Sequence, residues 1–239
     1  MKVCAVIPVY NNAATVGDVV ARARAVIEPD VLVVADGSTD GSDERAREAG
    51  APVITHPRNM GKGRAILSGL EAARERGYTH AVVLDADGQH LPENIPRLVE
   101  AAWAFPDRIV VGERLMNEDN SPQASRRGRA ISNFWATVDG WQRCRDAQSG
   151  FRLYPVERTL SLGCREPGFA FEMEVLIRAG WAGVRLHHVE VEVRYGWPGQ
   201  VSHFDMRADN LRFTWLSFRM FWGMILRGPL LAWRALARL

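Results

Sequence analysis

Short runs of β-branched and apolar residues alternate along the chain with longer stretches whose apolar positions recur at helical spacing. Val3 to Ile7 is followed by Ala14 to Ile27, Val31 to Ala35 by Ser42 to Ala49, and Val53 to Thr55 by Gly63 to Arg76. Ala81 to Leu84 then leads to Glu93 to Phe105, and Ile109 to Val111 follows. Strand, helix, strand repeated in this way predicts an α/β fold with a mostly parallel sheet flanked by helices, because parallel neighbours need a crossover between them. Further on, Glu172 and Glu174 open a helical stretch, and the alternation from Val184 to Val193 predicts another strand. The segment Asn117 to Arg129 is polar and contains Gly, Pro and Ser, which predicts a mobile loop.

Sheets of this kind take ligands beyond the carboxyl ends of their strands. The residues that follow each run therefore carry the chemistry, and they are unusual for plain turns: Pro8-Val-Tyr10-Asn11-Asn12, Asp36-Gly-Ser-Thr-Asp-Gly41, His56 to Gly63, Asp85-Ala86-Asp87-Gly-Gln89-His90 and Gly112-Glu-Arg114. Asp85 and Asp87 stand at i and i+2 after an apolar run. On an extended segment both side chains point the same way, toward one cation. Carboxylate oxygens suit Mg²⁺ or Mn²⁺, ions that commonly bridge a protein carboxylate and substrate phosphates. An Asp-Gly turn with two solvated acids is the other reading of the same triplet.

Taken together, Pro8-Val-Tyr-Asn, Val34-Ala-Asp36-Gly-Ser-Thr-Asp-Gly, Asn59-Met-Gly61-Lys62-Gly and Asp85-Ala-Asp-Gly-Gln-His resemble glycosyltransferase family 2, the large inverting class with the GT-A fold, in order and spacing over roughly the first half of the chain. The resemblance implies a Rossmann-like nucleotide-diphospho-sugar transferase domain that requires Mg²⁺ or Mn²⁺. It puts Pro8, Tyr10, Asn11 and Asp36 around the nucleoside, with Asp36 accepting from the base. It places Asp85 and Ala86 near the ribose or diphosphate, and makes Asp87 the firmer metal ligand with Gln89 as a third. Gly61 lets backbone approach the ligand, and Lys62 brings a positive charge to phosphate; a solvated first-turn lysine is the alternative. Many relatives carry Pro-x-Tyr-Asn-Glu, whereas this chain has Asn12, which leaves the base open between uracil and guanine.

Asp146-Ala-Gln148-Ser149-Gly150-Phe-Arg-Leu-Tyr resembles the acceptor segment of the dolichyl- and polyprenyl-phosphate mannose or glucose synthase-like branch. The resemblance implies phosphate contacts from Arg114 and, in the cluster Arg126-Arg-Gly-Arg129-Ala-Ile-Ser132, from Arg129; relatives place an arginine where this chain has Gly128. A solvated basic loop accounts for the cluster equally well. Glu172 or Glu174 would be the base toward a hydroxyl acceptor, whereas a lipid phosphate, already an anion, needs none. Acids at a helix start also favour its dipole and need have no other part. Ser202-His203 stands where the branch often has Ser-Lys reaching the diphosphate, and a packed histidine is the other reading.

Charge enters last. Thirty Lys and Arg against 28 Asp and Glu leave a net charge of +2, without the basic excess of a nucleic-acid binder. The imbalance is local: Arg207 to Leu239 holds six arginines and one acid. Arg212, Arg219, Arg227 and Arg234 recur at helical spacing, expected opposite Trp, Phe, Met and Leu, with a break at Gly228-Pro229. Neither piece has the roughly 20 apolar residues of a membrane span, so the tail is expected to lie on an anionic membrane surface. A helical hairpin packed on the domain or on a second subunit is the alternative, so a homo-oligomer stays open. The three cysteines, Cys4, Cys144 and Cys164, are far apart and read as buried reduced thiols. Nothing at the amino end reads as a signal peptide, so a cytoplasmic protein, peripheral on the inner face of the cell membrane, is expected. The whole predicts a glycosyltransferase domain over 1–210 with amphipathic membrane-associating helices over 211–239. The expected activity moves a hexose, with inversion, from a nucleotide-diphosphate sugar to a lipid-linked acceptor, polyprenyl phosphate first. A hydroxyl of a glycolipid or polysaccharide, or a non-catalytic nucleotide-sugar-binding protein, are the alternatives.

Overall fold

The structure is a computed structural model that describes residues 1–27, 30–115, 123–194, 215–216 and 218–222. Its strands are β1 (Val3–Val9), β2 (Val31–Ala35), β3 (Val53–Thr55), β4 (His80–Val83), β5 (Ile109–Arg114), β6 (Arg152–Pro155) and β7 (Leu186–Val191). Its helices are α1 (Val16–Ile27), α2 (Ser42–Glu48), α3 (Lys62–Glu75), α4 (Ile95–Ala104), α5 (Gln123–Gly140), α6 (Val156–Ser161) and α7 (Phe171–Trp181). The strands form one sheet in the order β3-β2-β1-β4-β6-β5-β7. All neighbours are parallel except β6, which runs antiparallel to both β4 and β5. The mostly parallel sheet expected from the alternation is present, and β6 is an addition: its residues Arg152-Leu-Tyr-Pro carry no alternating pattern because both faces of this strand are buried.

Side-chain alternation along β1 divides the core into two layers. Cys4 and Val6 face the side covered by α3 and α7, whereas Ala5, Ile7 and Val9 face α1 and α4. Pro8 is tolerated in this central strand because the pairing of β1 with β4 ends at Val6. Gly69 lets α3 pack closely on the sheet, since a Cβ there would lie 2.2 Å from a Val6 methyl.

Two expectations change here. Within the segment 117–129, the part from Gln123 onward is helix, the first two turns of α5, because its Arg and Ala residues are good helix formers and no proline follows Pro122. The described piece of the tail is also helical, but its faces differ from the expected arrangement. Leu216 and Met220 insert into the core layer under α7, and Trp215, Phe218 and Trp222 are the exposed side chains. Arg219 turns to Glu166 of the domain in an ion pair. Spacing of i and i+4 puts Leu216 and Met220 on one face, so burying them rotates the aromatics outward. Arg212, Arg227, Arg234 and the Gly228-Pro229 break lie outside the described residues. Among the described residues, no helix is long and apolar enough to cross a membrane.

Candidate active site

The loops after β1, β2, β3 and β4 meet at one edge of the sheet and are bound to one another. Asn11, held at φ 48°, donates its backbone N–H to Ser38 Oγ at 3.1 Å and accepts at Oδ1 from Thr39 N at 2.9 Å. The backbone N–H of Asn12 donates to Ser42 Oγ at 2.8 Å, which joins the first two loops. Thr15 Oγ1 donates to the carbonyl of Ala86 at 2.6 Å, which fixes the peptide between the two aspartates. Tyr10, the residue after β1, is half-buried at the same edge.

Asp36 is buried and heavily used. Its Oδ1 lies 2.6 Å from His56 Nδ1 and accepts from Met60 N at 2.9 Å, while Oδ2 accepts from Gly61 N at 2.8 Å. His56 is held in turn by Ser68 Oγ, 3.0 Å from Nε2. Asp36 thus shapes the loop that leads into Lys62, and an ionised carboxylate with about four lone-pair sites keeps room for one further donor. Gly61, at φ 96°, passes so close to the 166–168 turn that a Cβ would lie 2.4 Å from the Pro167 carbonyl.

Lys62, at the start of α3, places Nζ 2.7 Å from Asp85 Oδ1 and 2.6 Å from Glu172 Oε1, with the Phe169 ring 5.3 Å away. Burial works against its charge, but Asp85 and Glu172 outweigh it and hold the ammonium above the usual lysine pKa. For Asp85, burial likewise favours the neutral acid, and the charge of Lys62 overrides it, holding the carboxyl below the usual carboxylate range. Asp87 goes the other way. Burial and the charge of Asp85 push it up to about 6, although it accepts from Gln89 N at 3.0 Å.

That opposition between two neighbouring carboxylates is what a divalent cation would relieve, so the pair fits one. Among the described residues no three His, Cys, Asp or Glu side chains form a protein-only cage. Mg²⁺ and Mn²⁺ suit such a half-shell, since phosphate oxygens and water complete it. Gln89 is half-buried next to the pair, its carbonyl receiving Arg194 N at 3.0 Å.

A second group stands at the end of β5. Arg114 donates through Nε and an NH2 group to the two oxygens of Asp146, both at 2.8 Å, and its own backbone N–H donates to the same carboxylate at 3.1 Å. Arg129 donates to the Arg114 carbonyl at 2.8 Å and lies 3.6 Å from Asp146. One fully buried acid therefore orients two guanidiniums. Gln148 Nε2 donates to Ser132 Oγ at 2.9 Å, joining the segment before β6 to α5. Gly150 packs directly on Asp85, where a Cβ would meet Oδ2 at 2.4 Å. Ser149, expected to contact the acceptor, is instead fully buried, with its hydroxyl accepting from Phe151 N at 3.3 Å; the tight turn into β6 consumes it.

Glu172 and Glu174 separate cleanly. Two residues along a helix is about 200° of rotation, so they face opposite ways. Glu172 faces Lys62, whereas Glu174 is fully buried elsewhere, accepting from Arg165 N at 2.8 Å, Glu166 N at 2.7 Å and Arg178 Nε at 2.7 Å. Glu174 is thus a structural anchor for the 165–166 turn and is withdrawn as a base. Ser202 and His203 lie outside the described residues.

Several side chains that build the site were assigned no role in the sequence, although all but Thr15 stand within the segments singled out there: Thr15, His56, His90, Asp146 and Arg152. Arg152 is fully buried and donates to the carbonyls of Glu172 at 2.6 Å and Ala147 at 2.8 Å, tying the segment before β6 to α7. Its one visible signal is a charge inside the apolar run Phe151-Arg-Leu-Tyr. His90 packs on Phe151, ring centroids 5.4 Å apart, and burial among Lys62 and Arg114 pushes its pKa down to about 4 despite Asp85.

Comparison with known proteins agrees with this architecture. The family model described as glycosyl transferase family 2 matches residues 4–176. An undecaprenyl-phosphate mannosyltransferase of Micrococcus luteus is 32% identical over 207 residues, covering 82% of this chain and 84% of the relative. A polyprenol monophosphomannose synthase of Mycolicibacterium smegmatis is 34% identical over 224 residues, covering 87% of this chain and 82% of the relative. Among solved structures, glucosyl-3-phosphoglycerate synthase from Mycobacterium tuberculosis shares the fold, with a TM-score of 0.69 at 22% identity over 88% of this chain and 74% of that one. The same synthase was also crystallised with Mn²⁺, uridine diphosphate and glucosyl-3-phosphoglycerate, at a TM-score of 0.65 and 21% identity over 88% of this chain and 74% of that one.

Proposed function

The chain belongs to glycosyl transferase family 2 and is a glycosyltransferase, and from that premise we propose that it moves a hexose, with inversion, from a nucleotide-diphosphate sugar to a lipid-linked phosphate at a membrane surface. The observation that carries the choice of acceptor is the disposition of Glu172 and Glu174. One is ion-paired with Lys62 and the other is sequestered, so neither stands ready to deprotonate a hydroxyl, while Arg114 and Arg129 converge on Asp146 as a pair of guanidiniums of the kind that suits a phosphate. The mannosyltransferase relatives carry polyprenyl and undecaprenyl phosphate in their names, which points the same way.

In this mechanism Pro8, Tyr10 and Asn11 flank the nucleoside, and Asp36 offers its remaining lone pair to the base. Asp85 and Asp87, with Gln89, would hold Mg²⁺ or Mn²⁺, which supplies positive charge to the departing diphosphate. Lys62 adds its ammonium beside the same oxygens. Arg114 and Arg129 orient the acceptor phosphate so that one anionic oxygen attacks the anomeric carbon opposite the diphosphate. The new carbon–oxygen bond forms as the old one breaks, and the electron pair leaves on the nucleoside diphosphate. Glu172 acts by positioning Lys62.

Residues 1–210 form the catalytic domain in this reading, and 211–239, anchored on it by Leu216, Met220 and the Arg219–Glu166 pair, turn Trp215, Phe218 and Trp222 to the inner face of the membrane. Incubating the protein with labelled nucleotide sugars and a polyprenyl phosphate, then extracting the lipid, tests the proposal. Label in an acid-labile lipid phosphate is the expected result. Label only in a neutral glycolipid or polysaccharide would replace this acceptor by a hydroxyl.

A further inference from the structure

A second groove, about 690 Å³ in volume, opens between the end of α5 and the start of β7, with Arg108, Trp141, Arg143, Arg145, Arg185 and His187 in its lining. Arg108 and Arg185 immediately precede β5 and β7. These strands run parallel to β4, so their amino ends lie at the opposite edge of the sheet from Asp85 and Arg114. The Arg108 and Arg185 end of the groove therefore lies away from the site described above, and its other end reaches Arg145, which precedes Asp146 and pairs with Glu113.

Its charge is one-sided. Arg108 lies 4.2 Å over the Phe105 ring, which packs 4.7 Å from His187, so an aromatic stack holds the guanidinium in place. Arg145 is paired with Glu113 at 3.2 Å. Among the described residues, Arg143 and Arg185 have no carboxylate partner. Burial and the neighbouring arginines push both His187 and His188 down, His188 to about 4, as a region of positive potential does to a histidine. These arginines come from three separate chain segments and converge on one concavity.

We propose that this groove is a second anion site that takes a phosphate group. Several guanidiniums approaching from different directions match the oxygens of a tetrahedral phosphate better than those of any planar carboxylate. The source favoured by the surroundings is a phospholipid headgroup. Trp141, half exposed at the mouth, follows Phe134 by seven residues, and Phe134 and Ile131 stand 58% and 61% exposed on the outer face of α5. A bilayer that received these apolar side chains would set its headgroups at the groove. Only this choice of source rests on the membrane reading above.

The test uses the full chain without divalent metal, with Arg143→Glu/Arg185→Glu as the variant and Arg45→Glu/Arg74→Glu, on α2 and α3, as a control of equal charge change. Sedimentation with vesicles of phosphatidylcholine, with or without phosphatidylglycerol, is measured alongside calorimetric titration with sodium pyrophosphate. The wild type and the control should bind the anionic vesicles alike, and the groove variant should bind them at least about tenfold more weakly. Groove-dependent binding of pyrophosphate without groove-dependent vesicle binding would keep the phosphate site and overturn the lipid source. If neither ligand distinguishes the groove variant from the control, the site is overturned. Because the readout is binding, failure of transfer to a lipid phosphate would refute the proposed function and leave this result standing.

Discussion

Asp85 and Gly150 touch across the site: the glycine lies so close that a methyl on its α-carbon would meet Asp85 Oδ2 at 2.4 Å and Oδ1 at 2.9 Å. The turn into β6 is thereby packed against the aspartate that clamps Lys62. Gly150→Ala must push that carboxylate aside. Displacements near 1 Å can cost about a hundredfold in rate, so kcat should fall by roughly ten- to a hundredfold with the fold retained by circular dichroism. An alanine variant of wild-type activity would show that Asp85 need not hold this position.

The two candidate acids should part under substitution. Glu174→Gln disturbs a buried carboxylate that satisfies two backbone N–H groups and Arg178, at a cost of about 2–4 kcal/mol, seen as a lowered Tm with kcat kept at low temperature. Glu172→Gln frees Lys62 from one of its two anions and should lower kcat while changing Tm little. The reverse pattern would return Glu174 to the chemistry.

Asp36→Ala should weaken nucleotide binding by about tenfold or more, since it removes the proposed base acceptor and also releases Met60 N, Gly61 N and His56. Calorimetry with the nucleoside diphosphate measures this directly, and unchanged affinity would contradict the assignment. Asp87→Ala, by contrast, should abolish transfer and the metal-dependent part of nucleotide binding with the fold intact.

Asp139, on the inner face of α5, is fully buried with neither carboxylate oxygen hydrogen-bonded among the described residues, and burial pushes its pKa up to about 6. A carboxyl whose folded pKa is raised binds its proton more tightly folded than unfolded, so its ionisation costs stability as pH climbs from the ordinary carboxylate range through about 6. Asp139→Asn should therefore stabilise the protein by on the order of 1 kcal/mol at pH 8 and by little at pH 4. Thermal melts at the two values check the sign.

In the tail, Leu216→Ala and Met220→Ala should each cost about 2–4 kcal/mol, because both side chains sit in the core. Serine at Trp215, Phe218 and Trp222, which are exposed, should leave Tm nearly unchanged and reduce binding to anionic vesicles. Unaltered vesicle binding would remove this face from the membrane contact.

What was legible in the chain itself is what local spacing controls. The alternation of strands and helices specifies a parallel α/β sheet. Once the sheet is parallel, Pro8, Asp36, Lys62 and the Asp85-Asp87 pair must gather at one edge, since all follow strands of the same direction. The motifs over this half are contiguous, so order and spacing identified the family. Tertiary structure decided the rest, because the deciding partners are distant along the chain. Asp146 meets Arg114 across 32 positions only because β6 inserts antiparallel between β4 and β5. Glu172 and Glu174 look interchangeable in a line of letters, and the rotation of α7 against the sheet separates them. The tail's arginines promised a basic face, yet burial of Leu216 and Met220 turned Arg219 to Glu166 and left the aromatics outside. Periodicity says which residues share a face; only packing, through the apolar area that each orientation removes from water, says which face turns inward.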